Sequence, residues 1–390
     1  MRERFGIYTI PYNEEPKGGL YVHAVSVGEV LIATKFIRAW LKENGGVVVL
    51  ATSTATGHAT ALEADIPNVR VIYAPFDLYG LPGRCFDRFE PEAIVLVEAE
   101  IWPNFARAAQ VRGIPMAMIN ARMSARSEGR YKKFKWMSEY LFGFLSAMGV
   151  QDTGDERRFL SVGVRSSIID VTGSIKFDQQ SAERPEKNQE FATILDHLKR
   201  EKPVVLAAST HDGEEALIAA AIKKAGAFPL IVPRHAERRY AVVRDLEAQG
   251  WQVILRTTGE IPETLKEYVC YVADTTGELR DWTALADLAV IGKSFLADGG
   301  QNPAEAVACG VPVLTGPHME NFEALVQLLE GVDGISRCDA DQLEVALKAM
   351  LDNPLVAHAQ ASRAQVALKA HYGATERSIR MIQAMLKMPI

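Results

Sequence analysis

The sequence predicts an α/β fold built from two doubly wound, Rossmann-like domains that face a cleft. Short apolar, β-branched runs alternate with longer helical stretches, which is typical of βαβ units in a parallel sheet. A polar segment at 179–189, predicted to be the interdomain linker, interrupts this alternation, which then restarts. The chain has 390 residues, more than one hydrophobic core usually serves. We therefore expect a first domain over 1–180 and a second over 190–390 that includes the C-terminal helices.

The periodicity also predicts the individual elements. In the first half a helix is expected at Val30–Glu43, among strands at Leu20–Val27, Val47–Thr52, Val69–Tyr73, Ala93–Val97 and Pro115–Ile119. In the second half the tail, 339–386, is expected to be helical throughout. The strands there are expected at Val204–Ala207, Phe228–Val232, Gln252–Leu255, Tyr268–Val272, Leu288–Ile291 and Val311–Leu314.

Composition excludes several classes of protein. The net charge of −6 disfavours a nucleic-acid binder with a strongly basic surface, so an anionic ligand needs a local cluster of Lys and Arg. The four cysteines form no C-x-x-C pair, which argues against a disulfide framework and a structural zinc site. No apolar stretch has the length of a membrane span, so we expect a protein that lies on a membrane at most.

Ligands bind doubly wound sheets at the carboxyl ends of the strands, so the residues there are the candidates for chemistry. After the first strand comes Ser26-Val27-Gly28-Glu29. Ser-x-x-Glu is typical of a capping box that closes the first turn of a helix. The alternative is that Glu29 faces the cleft as a general base, with Gly28 allowing close approach of a ligand. The pattern leaves both interpretations open.

Hydroxyl groups follow the second strand, in a loop that enters a helix and contains Ser53, Thr54, Thr56 and Gly57. The loop lacks the Gly-Lys-Ser/Thr of a P-loop, so it is not a nucleotide-triphosphate cradle. The hydroxyls are interpreted either as helix caps or as groups that bind a sugar or phosphate.

The fourth and fifth strands end in charged residues. Glu98 and Glu100 follow a run of buried aliphatic residues, where a carboxylate is costly unless it is paired or faces a site. The fifth strand runs into Asn120, Arg122 and Arg126, which suit a phosphate or carboxylate. A solvated loop is the alternative interpretation of this segment.

Cations alternate with large aromatic residues just beyond. The stretch from Arg130 to Phe142 indicates a helix that contacts a membrane surface or an acidic lipid headgroup. A core helix with solvated lysines explains the same pattern. The candidate membrane contacts are Arg130, Lys132, Lys133, Lys135 and Trp136.

The strand ends of the second half carry the candidate donor site. Asn302 and Glu305 lie where a glycine-rich loop enters a helix, which is both a capping pattern and the geometry of an anion site. Arg234 and His235 at another strand end suit a nucleotide phosphate. The remaining candidates are Ser209, Thr210, His211, Pro233, Gly277, Glu278, Lys293 and Ser294.

Together these segments resemble the Kdo transferases of Gram-negative lipopolysaccharide synthesis, which have the GT-B fold. The matching segments run in order from His23 to Glu305, with one more at Gly316–Phe322, and cover nearly the entire chain. They are HAVSVGE, TSTATG, EAEIWPN, NARMSARS, GSIKFD, STHDGEE, PRHAER, DTTGEL, GGQNPAE and GPHMENF. The sequence departs from the family at its start, where members usually carry an apolar anchor. It also has Lys293 where a small residue is expected, and Ser174 in place of a frequent Asn.

The resemblance implies transfer of 3-deoxy-D-manno-octulosonic acid (Kdo) from CMP-Kdo to a lipid A precursor, with inversion at the anomeric centre. It implies acceptor binding in the N-terminal domain and CMP binding in the C-terminal domain. Glu29 matches the catalytic base and Glu98 a second essential acid, while Arg234, Gly277 and Glu305 match positions near the nucleotide. We expect no metal and no cofactor beyond the donor. The expected location is peripheral, on the cytoplasmic leaflet of the inner membrane.

Two rival hypotheses remain from the sequence. One is a GT-B enzyme of another sugar class, such as a UDP-sugar transferase or epimerase. The other is a peripheral membrane binding protein with a degenerate site, against which Glu29, Glu98 and Glu305 speak.

Overall fold

The computed structural model describes residues 2–8, 11–98, 101–178, 185–199 and 201–387. The chain divides into two compact units. The first comprises Met1–Gln180 and His371–Ile390, and the second comprises Ser181–Ala370. Each unit is built on its own parallel sheet with helices on both faces, as the alternating sequence pattern predicts.

The sheet of the first unit consists of the strands β1 (Leu20–Ala24), β2 (Val48–Thr52), β3 (Val69–Tyr73), β4 (Ala93–Val97), β5 (Met116–Ala121), β6 (Ala147–Val150) and β7 (Ile169–Val171). Among the described residues their order in the sheet is β3-β2-β1-β4-β5-β6-β7. Tyr21 of β1 packs in the core on one face, while Leu20 and Val22 pack in the core on the other, because successive strand side chains point to opposite faces.

The helices that connect these strands begin with side-chain caps at several points, including Ser26, Thr54, Ser124 and Asp152. They are α1 (Val27–Asn44), α2 (Ala55–Glu63), α3 (Leu81–Phe89), α4 (Pro103–Val111), α5 (Ala125–Lys133), α6 (Lys135–Phe142) and α7 (Thr153–Ser161).

The second unit repeats the architecture with the strands β8 (Val204–Thr210), β9 (Phe228–Pro233), β10 (Gln252–Leu255), β11 (Val269–Val272), β12 (Leu288–Ile291), β13 (Val313–Thr315) and β14 (Ser336–Arg337). Within the described part of this unit their order in the sheet is β10-β11-β9-β8-β12-β13-β14. Its helices are α8 (Gln189–Leu198), α9 (Glu214–Lys224), α10 (Arg239–Glu247), α11 (Leu279–Thr283), α12 (Ala304–Ala308), α13 (Glu323–Glu330), α14 (Leu343–Asp352) and α15 (Pro354–Lys369).

The last helix, α16 (Ala374–Lys387), belongs to the first unit, and not to the second as predicted. Its buried residues Ile379 and Ile382 lie in the same core as Val22 of β1. The carboxylate of Asp178 accepts hydrogen bonds from the amides of Gly373 and Thr375, at 2.7 and 2.8 Å, and so caps the start of α16. The tail is also not helical throughout, because α16 begins only after a break at 370–373.

The predicted strands are all present, with ends shifted by up to three residues. Three short strands, β6, β7 and β14, were missed, because two to four residues carry too little periodicity. Of the predicted linker, 179–184 lie outside the described residues, and Gln189 already begins α8.

Candidate active site

The two predicted catalytic carboxylates follow β1 and β4, the neighbouring strands from which the first sheet is wound in opposite directions. Such a switch point forms a crevice at the carboxyl ends of the strands. Here the crevice has a volume of about 490 Å³. It is lined by Glu29, Glu98, Arg122, Met123, Ser124, Gln151, Asp155 and Arg158. We call it the acidic cleft.

Glu29 closes the capping box at the start of α1. The Ser26 hydroxyl donates a hydrogen bond to Oε1 of Glu29 at 2.9 Å, and the Val25 amide donates to Oε2 at 2.8 Å. The Glu29 amide donates in turn to Oγ of Ser26 at 3.4 Å. The capping interpretation of this motif is therefore confirmed, and the same half-buried carboxylate lies on the wall of the acidic cleft.

Glu98 lies in the left-handed backbone region, with φ of 68°. Its Oε2 accepts a hydrogen bond from Nε of Arg122 at 3.3 Å, which joins the ends of β4 and β5. Asn120, Ser209 and Lys293 also have positive φ, and they lie at the ends of β5, β8 and β12. Non-glycine residues at positive φ cost about 1 to 3 kcal/mol each and cluster at functional sites. Lys293 has φ of 55°, which is a physical reason for the small residue expected there.

Gln151, Asp155 and Arg158 line the acidic cleft but lie outside every segment that the sequence singled out. They lie just after β6 and on α7, and β6 was itself missed, so its end was not read for chemistry. Asp155 is buried, and its Oδ1 accepts a hydrogen bond from the Met123 amide at 2.9 Å. Burial raises the pKa of this carboxyl.

The hydroxyl-rich loop forms the cap of α2. Oγ1 of Thr54 accepts a hydrogen bond from the Gly57 amide at 3.1 Å and donates to the Val25 carbonyl at 3.0 Å. Thr56 is exposed. Among the described residues, Oγ of Ser53 is buried without a hydrogen-bond partner. A buried hydroxyl of this kind costs free energy unless a partner reaches it.

Five of the predicted ligand contacts are buried inside their units. They are Gly57, Asn120, Thr210, Pro233 and Ser294. Oδ1 of Asn120 accepts the Ile175 amide at 2.9 Å, so the side chain stabilises a neighbouring loop. The Thr210 hydroxyl donates to Glu215 at 2.9 Å, and the Ser294 hydroxyl donates to the Ile291 carbonyl at 2.6 Å.

In the second unit, β8 and β12 flank the corresponding switch point. The loop after β12 wraps around the fully buried carboxylate of Glu214, the first residue of α9. The amides of Lys293, Ser294 and Phe295 donate to this carboxylate at 2.5, 3.0 and 3.0 Å. The His211 amide donates at 3.1 Å and joins the end of β8 to the same group. Glu214 therefore shapes the candidate donor loops without being part of the predicted site.

The remaining donor candidates lie at the strand ends of this unit. Arg234 and His235 are exposed after β9, Gly277 is exposed with φ of 90°, and Ser209, His211 and Lys293 are half-buried. Oε2 of Glu278 accepts the Thr275 hydroxyl at 2.5 Å. Each of these groups is accessible at least in part.

Asn302 and Glu305 flank the start of α12. The sequence pattern predicts Asn302 as the N-cap and Pro303 as the first helical residue, but Pro303 occupies the N-cap and the helix begins at Ala304. Oδ1 of Asn302 still accepts the Ala304 amide at 3.0 Å. Glu305 is half-buried, and burial raises its pKa, opposed by nearby Arg280.

The predicted membrane helix is two helices, α5 and α6, which meet at Phe134. Trp136 is 72% exposed, and Phe134 and Tyr140 are about half exposed. Arg130, Lys132, Lys133 and Lys135 are exposed as well. Lys132 pairs with Glu128 at 2.6 Å, and Lys135 pairs with Glu139 at 3.7 Å. No helix within the described ranges is long and apolar enough to span a membrane.

Glu100 lies outside the described residues. Asp298, His318 and Glu320, which the sequence pattern did not indicate as metal ligands, bring potential metal-ligand atoms within 4.8 Å of one another on the surface of the second unit. Glu320 already accepts the Gly299 amide at 2.6 Å, which accounts for its position without an ion.

Comparison with known proteins identifies the family of this chain. A family described as 3-deoxy-D-manno-octulosonic-acid transferase (kdotransferase) matches residues 1–179. The chain is 31% identical to the 3-deoxy-D-manno-octulosonic acid transferase of Haemophilus influenzae, over 99% of this chain and 91% of that protein. It is 33% identical to the enzyme of the same name from Bordetella pertussis, over 92% and 86% of the two chains.

The fold is also that of a solved structure. MurG of Acinetobacter baumannii is similar over 95% of this chain and 100% of its own, with a TM-score of 0.52 and 12% identity, which bears on the fold alone. The two parallel-sheet units thus form a GT-B fold, as the sequence predicts. From the similarity in sequence, this chain belongs to the 3-deoxy-D-manno-octulosonic acid transferase family and is a glycosyltransferase.

Proposed function

We propose that this protein transfers Kdo from CMP-Kdo to a hydroxyl group of a lipid A precursor, with inversion of the anomeric centre. The observation that carries the proposal is the position of Glu29 and Glu98 on one cleft at the switch point of the first unit, beside Arg122. A general base, a second acid and a cation in one crevice suit the activation of a hydroxyl on an anionic acceptor.

Glu29 is the proposed base. The acceptor oxygen attacks the anomeric carbon of Kdo from the face opposite CMP, and the bond between that carbon and the phosphate oxygen breaks. The electron pair leaves with CMP, and the hydroxyl proton passes to the Glu29 carboxylate. To receive it, the side chain exchanges one of its hydrogen bonds, to the Val25 amide or the Ser26 hydroxyl, for one to the acceptor.

Glu98 is the proposed second acid, and it acts beside the base. The left-handed backbone of Glu98 sets the direction of its side chain at the end of β4. Its ion pair with Arg122 holds that guanidinium at the cleft. The side chain of Glu98 is 22% exposed and that of Arg122 is 61% exposed, so both remain accessible to an acceptor. This pair therefore orients the acceptor against Glu29. Further proposed acceptor contacts, outside the residues that line the acidic cleft, are Ser53, Thr54, Thr56 and Arg126.

The donor is assigned to the second unit. Arg234 and His235 bind the phosphate, and Glu305 accepts hydrogen bonds from the ribose hydroxyls. Gly277, Glu278, Lys293 and Asn302 complete the pocket. The support for this assignment is their position at the carboxyl ends of parallel strands, where open α/β sheets bind nucleotides.

The acceptor is embedded in a bilayer, so the protein docks on the cytoplasmic leaflet of the inner membrane as a peripheral protein. The exposed aromatic residues Phe134, Trp136 and Tyr140 insert at the headgroup level. The four cations of this stretch attract the anionic surface, although Glu128 and Glu139 offset part of their charge.

Product analysis tests the activity. The purified chain is incubated with a lipid A precursor and either CMP-Kdo or a panel of UDP-sugars, and the lipid products are analysed by mass spectrometry. We expect a Kdo adduct with CMP-Kdo alone, in the opposite anomeric configuration to the donor by NMR. Transfer from a UDP-sugar in place of CMP-Kdo would refute the donor assignment, and a retained configuration would refute the single displacement.

A further inference from the structure

Arg158 lies on the wall of the acidic cleft, on the second turn of α7. Its side chain is 40% exposed, so the guanidinium is accessible from the cleft. The cleft holds three carboxylates, Glu29, Glu98 and Asp155, and the two cations Arg122 and Arg158. Arg122 already forms an ion pair with Glu98.

The acids beside Arg158 compensate its charge only in part. Its Nη1 is 3.3 Å from Oδ1 of Asp155, but that same oxygen also accepts the Met123 amide. Its Nε is 4.0 Å from Glu128, whose carboxylate pairs more closely with Lys132, at 2.6 Å, and accepts the Ser161 hydroxyl at 2.9 Å. A long contact to a shared carboxylate is weak in solvent. The five donors of the guanidinium therefore suit a further anionic partner.

The neighbouring arginine on the same helix has a different environment. Nε of Arg157 donates to the Thr153 carbonyl at 3.2 Å, and its side chain is exposed. Successive helical residues differ by about 100° around the axis, and Arg157 is not among the residues that line the cleft. Arg157 and Arg158 thus have the same side chain and charge but differ in position, so Arg157 is a matched control for Arg158.

We infer that Arg158 binds a phosphate group of the acceptor in the acidic cleft and thereby selects phosphorylated over dephosphorylated acceptors. A planar guanidinium matches a phosphate with two parallel hydrogen bonds, which a lysine lacks. The inference rests on the proposed transfer to a phosphorylated glycolipid, and it adds a residue that determines specificity. The carboxylate and phosphate of the donor are the other anions that enter a transferase site, so the experiment separates the two sources.

The test measures initial rates of Kdo transfer for wild type, Arg158→Ala, Arg158→Lys and Arg157→Ala, each with a bisphosphorylated lipid A precursor and with the same lipid after phosphatase treatment. For Arg158→Ala we expect KM for the phosphorylated acceptor to rise about 10-fold to 100-fold, because the variant loses charge-assisted hydrogen bonds to the phosphate. KM for the dephosphorylated acceptor and for CMP-Kdo should be unchanged. Arg158→Lys should fall between, and Arg157→Ala should behave as wild type.

Each other outcome overturns the inference. An equal loss with both acceptors in Arg158→Ala would mean that the residue only supports α7, and thermal melts of the variants report that effect separately. A raised KM for CMP-Kdo in place of the acceptor would assign the anion to the donor. The same preference for phosphorylated acceptor in wild type and Arg158→Ala would exclude Arg158 from recognition. If wild type transfers no Kdo to either lipid, the proposed function fails first, and this result is distinct from the other three.

Discussion

The amide of Val25 donates a hydrogen bond to Oε2 of Glu29 at 2.8 Å, so the proposed base also holds the turn between β1 and α1. The Ser26 hydroxyl donates to the other oxygen at 2.9 Å, so both oxygens are hydrogen-bonded in the described structure. The cap keeps the carboxylate at the edge of the cleft. Because both oxygens accept hydrogen bonds, no unpaired charge is buried. In this site the structural and the chemical interpretations of one motif are compatible.

Replacement of Glu29 by Gln should remove most turnover while the fold is retained. The amide cannot take up a proton, and loss of a general base costs about a hundredfold or more in rate. Stability should fall by about 1 kcal/mol, because the amide NH2 faces a hydrogen-bond donor on one side of the cap. Kdo transfer rates and thermal melts measure the two effects.

Ser26→Ala is the matched control for this change. It removes half of the capping box but keeps the base, so it should lose a similar stability of about 1 kcal/mol and retain most activity. Similar rates for wild type and Glu29→Gln would eliminate Glu29 as the base.

Glu305→Gln should weaken CMP binding and at the same time stabilise the protein at neutral pH. Burial raises the pKa of Glu305 above its ordinary value of 4.5, so the ionised form is disfavoured in the native state. The free energy of unfolding of wild type therefore falls as pH rises through 4.5 toward the raised native value, and it stays lower above that. Glu305→Gln has no such carboxyl, so its free energy of unfolding does not fall in this pH range. The variant should therefore be more stable than wild type above the raised native pKa, and this difference should vanish below pH 4.5.

Calorimetric titration with CMP and melts across pH measure both parts. We expect about a tenfold loss of CMP affinity, since one charge-assisted hydrogen bond becomes a neutral one. Glu263→Gln, at an exposed acid of the same unit, controls for the change in net charge. Unchanged CMP affinity would leave Glu305 with a purely structural role.

Glu214→Gln should destabilise the second unit by about 3 kcal/mol and lower CMP affinity. The buried carboxylate accepts hydrogen bonds from the amides of His211, Lys293, Ser294 and Phe295. The NH2 group of a glutamine is itself a donor, so it could not accept the hydrogen bonds on its side of the side chain. Exposed Glu237 is the matched control, and Glu237→Gln should be neutral. Denaturant unfolding and CMP titration measure the effects. A stability loss below about 0.5 kcal/mol, the range of ordinary surface substitutions, would contradict the role given to this group.

Charge reversal at Lys132, Lys133 and Lys135 should abolish sedimentation with anionic vesicles at low salt. Each cation near an anionic surface contributes about 1 kcal/mol, and the reversal converts attraction into repulsion. Transfer to the lipid acceptor should slow while CMP affinity is retained. The control reverses three exposed lysines of the second unit, Lys202, Lys348 and Lys369, for the same change in net charge. Continued sedimentation of the first variant would move the docking surface elsewhere.

The sequence by itself determined the two α/β units, most strand positions, the capping box at Ser26 and Glu29, and the family. These features depend on local periodicity and on motifs of adjacent residues, which a linear sequence displays. Only the tertiary structure decided that α16 packs on the first unit, that Asn120, Thr210 and Ser294 are buried, and that Arg158 lines the acidic cleft. It also decided that Glu214 organises a loop 79 residues away in sequence. The physical reason is that burial and hydrogen-bond partners depend on contacts between distant segments, and no local pattern encodes which segments will meet.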